Sequence, residues 1–328
     1  MAVLVTGGAG YIGSHMVLRL CDAGEDVVVL DNLVTGFDWA VDPRARLIQG
    51  NAGDMELVGG LIAEHAISEI IHFAGSIVVP ESVSNPLKYY GNNTATSRNL
   101  IEAAVKGGVR HMVFSSTAAV YGMPGLEPVA EDAPLAPLSP YGRSKLMTEM
   151  MLADVAAAHP FTYGALRYFN VAGADPNKRS GQSTPLATHL IKVTCQTALG
   201  QRDHVDIFGT DFPTPDGTGV RDYIHVTDLV EAHALLLEHL RNGGDSTVCN
   251  CGYGTGYSVR QVIDMVKAVS GVDFAVHEAP RRPGDPASVV ARADKVRTLL
   301  GWQPAHADLR EIVTAAYEWE RYLATRNR

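Results

Sequence analysis

Tyr141-Gly142-Arg143-Ser144-Lys145 places a phenol and an ammonium at i and i+4, one turn apart on one face of a helix. Pro140, just ahead of the tyrosine, suits the first helical position. A nearby ammonium favours the phenolate, so the pair is expected to draw the tyrosine pKa from about 10 toward neutrality. A tyrosine tuned in this way takes a proton from an alcohol while hydride leaves for a nicotinamide. The spacing alone is common and usually marks a surface pair. Ser115-Ser116-Thr117, at the end of the apolar run from His111, adds hydroxyls that could orient a substrate hydroxyl. The plainer alternative is that Thr117 only caps its own turn.

A second constellation opens the chain. Gly7-x-x-Gly10-x-x-Gly13 follows an apolar run, Ala2 to Val5, and begins an amphipathic helix, Tyr11 to Ala23. Glycines there allow a sharp turn and close approach of a phosphate to backbone amides at a helix N-terminus. Asp31 ends the next apolar run, Val27 to Leu30, where an acidic residue accepts hydrogen bonds from an adenosine ribose and repels a 2′-phosphate. The pattern predicts a dinucleotide site that prefers NAD to NADP.

The positioning elements follow from periodicity. Strands are expected at Arg46–Gln49, Ile67–Phe73 and His111–Ser115, and one long helix from about Ser82 to Lys106, stopped by Gly107-Gly108. Strands alternating with helices predict an α/β fold with a doubly wound, Rossmann-like parallel sheet, and ligands outside the carboxyl ends of its strands. Beyond Asn170 the pattern changes. Loops at Asp211–Gly219 and Ala279–Pro286 alternate with helices at about Pro185–Leu199, Val226–Arg241, Ser258–Ser270 and Asp308–Thr325. We expect an NAD-binding unit at 1–170 and a smaller mixed α/β unit at 171–328, with segments near 205–230 returning to the first.

Composition narrows the function classes. Charge sums to 27 − 36 = −9, which disfavours nucleic acid and anionic membranes. No apolar stretch is long enough to span a bilayer, and no basic-flanked leader precedes Ala2. Cys21, Cys195, Cys249 and Cys251 lack zinc-knuckle spacing, so reduced, buried thiols, a cytoplasmic setting and no metal are expected.

Together these motifs resemble the extended short-chain dehydrogenase/reductase family. Within it, they resemble the UDP-glucose (UDP-galactose) 4-epimerases from end to end. The resemblance is carried by Gly7–Ser14, Asp31-Asn32-Leu33, His72–Gly75, Tyr89–Asn93, Ser115–Gly122, Tyr141–Lys145, Arg167–Asn170, Phe208–Val226 and Arg281–Asp285; Gly217–Val226 is its most specific part. It implies that Tyr141 removes the proton from the sugar 4-hydroxyl as C4 hydride moves to bound NAD. The 4-keto sugar then turns about its diphosphate and takes the hydride back on its other face. Thr117 would bridge Tyr141 and the sugar oxygen, and Lys145 would hold the nicotinamide ribose.

Position by position, the resemblance adds Tyr11, Ile12, Asn32, Asp54, Met55, Phe73, Ala74, Gly75, Asn93, Ser115 and Phe169 to the NAD contacts. It assigns Asn170, His189, Leu190, Phe208, Arg221, Arg282, Asp285 and Val289 to the UDP-hexose, alongside Thr117 and Tyr141. Arg221-Asp222 and Arg282-Asp285 read equally as surface ion pairs. Departures from the family pattern are Ile77 in place of a lysine, Pro80 in place of a glycine and His189 in place of an asparagine. Val289 is small where a bulky aromatic excludes N-acetylated sugars, so UDP-N-acetylglucosamine and its galacto epimer are an alternative substrate pair. Related dehydratases carry acids just after the strand-end hydroxyl; here Ala118-Ala119 follow Thr117. A non-catalytic NAD sensor is a further alternative, disfavoured because Tyr141 and Lys145 are both kept. A homodimer pairing helices near Ser82–Lys106 and Pro140–His159 is expected from the resemblance.

Overall fold

The computed structural model of the chain describes residues 2–184, 187–282 and 284–326. Its first half runs β1 (Ala2–Thr6), α1 (Tyr11–Asp22), β2 (Val27–Asp31), β3 (Arg46–Gln49), α2 (Met55–Glu64), β4 (Ile67–His72), α3 (Val79–Ser84), α4 (Pro86–Tyr89), α5 (Thr96–Lys106), β5 (His111–Ser115), α6 (Pro140–Ala158) and β6 (Thr162–Tyr168). The second half runs β7 (Asn170–Ala172), α7 (Leu190–Ala198), β8 (His204–Phe208), β9 (Val220–His225), α8 (Val226–Arg241), β10 (Thr247–Cys251), β11 (Gly256–Ser258), α9 (Val259–Ser270), β12 (Ala275–Ala279), β13 (Ser288–Val289), α10 (Asp294–Leu300) and α11 (Leu309–Arg326).

Seven parallel strands form one sheet in the order β10-β6-β5-β4-β1-β2-β3. The central strands β1 and β2 are apolar along nearly their whole length because helices cover both faces, and both are buried at every residue. Strand order reverses beside β1, so the loops leaving β1 and β4 open a crevice at the switch point. The expected doubly wound sheet is the observed one.

The second half builds two small sheets. β9 lies at the centre of one, with β7, β11 and β13; β8 pairs only with β12 in the other. Of the segments near 205–230, β8 and β9 stay in these small sheets. The chain then returns to the large sheet through α8, and β10 becomes its edge strand beside β6. All four cysteines are buried and unpaired. Among the described residues, no helix is long and apolar enough to cross a membrane.

The expected helix from Ser82 to Lys106 is broken into pieces. Asn85 leaves the helical region (φ −135°, ψ 68°) because a residue before proline is pushed toward extended backbone. After α4 the chain widens into a π-helical segment, Tyr90–Ala95, before α5 resumes. Such bulges are common at functional sites, and this one turns Asn93 into the sheet crevice. The helix expected from Pro185 starts at Leu190; Pro185 itself, like Pro283 of the 279–286 loop, lies outside the described residues.

Four histidines are sealed in this core. His72 joins the Thr6 hydroxyl (2.6 Å) to the Ser97 hydroxyl (2.8 Å), tying β1, β4 and the α5 helix together. His15 and His233 sit against the carbonyls of Tyr11 (2.7 Å) and Leu229 (2.9 Å). A carbonyl only accepts, so each donates from Nδ1. Burial lowers the pKa to about 3 for His72 and His225 and to about 4 for His15 and His233. Below pH ~6.5 the unfolded chain therefore binds protons that the folded chain refuses, and stability is lost as pH falls from there toward ~4. Each histidine contributes about 1.4 kcal/mol per pH unit across that window. Urea unfolding between pH 7 and 4.5 is expected to show this steep loss, and His15→Gln to lower the slope by close to one proton.

Candidate active site

The first turn of α6 sets the chemical end. The Ser139 hydroxyl caps it, accepting the Gly142 N–H at 3.1 Å, and Pro140 occupies its start. Tyr141 is thereby held in the interior, edge-on to the Tyr89 ring at 6.4 Å. Thr117 leaves β5 in extended backbone; its hydroxyl accepts the Ala119 N–H at 3.1 Å and lies beside the Tyr141 phenol. The turn-capping role and the contact to Tyr141 coexist. Lys145 lies buried one turn beyond Tyr141. It donates to the Ser115 carbonyl at 2.9 Å and stands 4.8 Å from the centre of the Phe114 ring.

The electrostatics differ from the expectation. Burial raises the Tyr141 pKa, and the Thr117 hydroxyl is what offsets it. Burial also lowers the Lys145 pKa to about 8, with Glu149 acting in the other direction. Burial of the phenol, not the neighbouring ammonium, sets the direction of the Tyr141 shift. The sequence shows the spacing of the pair but not its depth.

The dinucleotide end is built by close backbone approach. A Cβ at Gly7 (φ +73°) would lie 2.6 Å from the Ala74 nitrogen, and one at Gly13 would lie 2.1 Å from the Gly7 oxygen. Both positions admit only glycine, which is how the β1 loop, the β4 loop and α1 meet. Gly10 caps α1 with no side-chain hydrogen bond, leaving the first-turn N–H groups of Tyr11, Ile12 and Gly13 facing the crevice. Asp31 accepts from the Ala9 (3.0 Å) and Leu33 (2.8 Å) N–H groups, so its carboxylate is fixed beside that turn. Asn32 braces the same loop through the Val34 N–H at 3.1 Å.

The other sites expected to contact NAD gather around the crevice. Phe73 and Ala74 both donate their backbone N–H to the Thr6 carbonyl, at 2.9 and 3.1 Å. Asn93 accepts from Ser76 N–H (2.7 Å) and donates to Ser144 (3.0 Å), which packs its side chain against Gly75. Asp54 is engaged as the N-cap of α2, accepting from Glu56 and Leu57, and Met55 begins that helix. Tyr11 turns its phenol away to the Gly173 carbonyl at 2.7 Å, so only its backbone faces the turn. The Ser115 hydroxyl is occupied by Tyr168 at 2.7 Å. Phe169, after β6, is buried.

The residues expected at the sugar nucleotide form two groups joined by β7 and β9. Asn170, His189 and Leu190 line a small cleft with Tyr11 and Tyr223. His189 Nδ1 is buried there without a partner among the described residues. Arg221 lies on β9, in register with Val289 of β13. It donates to the Val220 carbonyl at 2.8 Å and has no ion pair among the described residues; burial lowers its pKa. Asp222 does not pair with it, but accepts N–H groups from Tyr253, Gly254 and Ala291 in the interior. Arg282 does pair with Asp285, at 2.7 Å near the surface, and its guanidinium lies 4.9 Å from the centre of the Phe208 ring. Ala118 and Ala119 present only methyl groups after Thr117.

Three residues near the site were absent from the expectations. Glu149 continues the Tyr141, Lys145 stripe by one more turn. It accepts from the Ser116 hydroxyl and pairs with Arg167 at 2.6 Å, both side chains being 5% exposed. Arg167 goes on to the Tyr121 hydroxyl (3.0 Å), which donates to Asn250 of β10 (2.6 Å). The i+4 step from Lys145 was the available signal: a third charge on a buried face needs a partner. Tyr168 and Tyr89 were likewise not expected beside Tyr141. Glu149→Ala is expected to cost about 3–5 kcal/mol of stability by leaving Arg167 buried and unpaired; urea unfolding at pH 7 measures it.

The NAD dependent epimerase/dehydratase family model matches residues 3–252. A UDP-glucose 4-epimerase of Azospirillum brasilense is 56% identical over 98% of this chain and 92% of that protein. One of Lacticaseibacillus casei is 44% identical over 97% and 96%. Among solved structures, UDP-glucose 4-epimerase from Brucella ovis in complex with NAD superposes with a TM-score of 0.94, at 40% identity and 97% coverage of both chains. The enzyme from Bifidobacterium longum in complex with NAD+ and UDP gives 0.92, at 36% identity and 98% coverage of both. The arrangement of crevice, strand-end hydroxyl and Tyr141–Lys145 stripe, together with this likeness along almost the full length, makes the chain a member of the NAD dependent epimerase/dehydratase family.

Proposed function

We propose that the chain interconverts UDP-glucose and UDP-galactose by 4-epimerisation with retained NAD. The observation that carries this reading is the meeting of Tyr141, Thr117 and Lys145 at the carboxyl end of β5, beside the glycine-lined crevice. The crevice fits a dinucleotide: two glycines leave no room for one added carbon, α1 has free first-turn N–H groups, and Asp31 is fixed where a ribose diol would donate. Gly7, Gly10, Gly13 and Asp31 would hold the adenosine diphosphate half, and Asn93, Lys145 and Phe169 would face the nicotinamide half. When bound, NAD accepts the C4 hydride and returns it, and its cationic ring favours the Tyr141 phenolate.

Tyr141 takes the proton from the 4-hydroxyl at its phenol oxygen and gives it back after the sugar has turned. Thr117 orients that oxygen. Lys145, held by Ser115, supplies the positive charge that the phenolate needs in a dry site. Turning the 4-keto hexose requires its diphosphate to stay fixed, and Arg221, with no carboxylate partner, is suited to that by paired hydrogen bonds. Phe208 and Arg282 would flank the uracil, Asp285 would accept from the uridine ribose, and Asn170, His189 and Leu190 would line the path between. With alanines after Thr117, elimination lacks a proton donor. UDP-glucose relatives at 44–56% identity support glucose over its N-acetylated analogue as the main substrate.

Further readings belong with this one. We take residues 1–170 as the dinucleotide unit and 171–328 as mainly the nucleotide-sugar unit. Four buried thiols suit the reducing cytoplasm. Val83, Leu87 and Met150 are 66%, 80% and 59% exposed on α3, α4 and α6, which pack together, so this apolar face would pair two copies about a two-fold axis.

Proton NMR of purified protein with UDP-glucose and no added NAD is expected to show UDP-galactose forming. Tyr141→Phe is expected to lower kcat about 100- to 10,000-fold with the fold intact. No turnover of any UDP-hexose, with NAD added, would refute the reading. Leu87→Glu with Met150→Glu is expected to turn a dimer into a monomer by light scattering.

A further inference from the structure

Among the described residues, β8 and β12 pair with each other and with no other strand. A two-stranded ribbon is marginal unless something holds its faces. One face is covered: Val205 and Ile207 of β8, with Val276 of β12, pack on Ile263. The opposite face carries His204, Asp206 and Phe208 at alternate positions of β8, with His277 directly across from Asp206 in the parallel register. His204 and Asp206 are half-buried and His277 is exposed. The two imidazole rings stack, with centroids 4.2 Å apart and planes 26° apart, so one must turn to share an ion with the other; His204 Nε2 is 3.4 Å from Asp206 Oδ1. One ligand atom from each of the three lies within 4.8 Å of the others.

A metal bonded at about 2.0–2.2 Å to imidazole nitrogen and carboxylate oxygen brings its donors to about 3.3 Å from each other. The exposed His277 can close the remaining gap by a side-chain rotation. Two imidazoles and one carboxylate suit zinc-class ions, not calcium or magnesium, and three protein ligands leave a position for water. The consequence lies at the strand ends. β8 ends on Phe208, two residues past Asp206. Three residues past the end of β12 comes Arg282, whose guanidinium lies over the Phe208 ring, 4.9 Å from its centre.

We propose that His204, Asp206 and His277 bind a divalent transition-metal ion of the zinc class, which clamps β8 to β12 and steadies the Phe208–Arg282 pair that flanks the nucleotide. The metal site stands on its own; its coupling to UDP rests on the function proposed above. The probes are Co²⁺, followed by its visible d–d band, and Zn²⁺ with UDP by calorimetry, on the full chain. Wild type is expected to saturate at one Co²⁺. His204→Ala and His277→Ala are expected to lose the band, and Asp206→Asn to weaken it more than about tenfold. Saturating Zn²⁺ is expected to tighten UDP binding at least about fivefold in wild type and not in His277→Ala.

All three side chains lie on the outer face, so each variant is expected to keep the wild-type circular dichroism spectrum, which checks that it is folded. No saturable band, or a band undiminished in the His204→Ala, His277→Ala double variant, would overturn the site. UDP binding that ignores bound Zn²⁺ would overturn the clamp. Failure of UDP to bind at all would count against the sugar-nucleotide reading, while the Co²⁺ band alone decides the metal site.

Discussion

A charged stripe buried along one helix is the constraint on which the site depends. Tyr141, Lys145 and Glu149 follow one another at four-residue steps into the protein, each farther from solvent than a lone polar group would tolerate. Glu149 is balanced by Arg167 and Ser116, Lys145 by the Ser115 carbonyl and Tyr141 by Thr117. Three consecutive residues at the end of β5 thus serve three consecutive turns of α6. Helix and strand cannot shift against each other without stranding a charge, and the phenol oxygen is fixed as a result.

The sheet supplies the other half of the geometry. Strand order reverses beside β1, and the β1 and β4 loops close on each other to the limit set by two glycines. The ammonium and the glycine turn therefore open into the same crevice, within reach of one extended dinucleotide. Arg167 carries the same network across to Tyr121 and Asn250, so the edge strand β10, from the second half of the chain, is paired with β6 and also tied to α6 by hydrogen bonds.

Much of this was legible from residue types and spacing. Apolar runs such as Val27–Leu30 announce strands buried on both faces, and Gly7, Gly10, Gly13 and Asp31 announce the turn between them. Tyr141 and Lys145 needed only the helical period. What was not legible depends on depth and on long-range pairing. The direction of the Tyr141 shift follows from burial, which spacing does not report. The break at Asn85 follows from Pro86, but the π-helical segment that points Asn93 inward has no local signature. His204 and His277 meet only because two strands about seventy residues apart pair in register, and the partner of Glu149 lies on another strand.

The central claim is that a buried phenol and a retained cofactor exchange the C4 hydrogen of a sugar nucleotide inside a site closed to water. Turnover of UDP-glucose in heavy water, with the product examined by NMR for deuterium at C4, tests this most directly. Galacto product that keeps protium at C4 through repeated turnovers is the expected result. Deuterium at C4 would show that the hydrogen passes through an exchangeable position, and would contradict hydride transfer at this site.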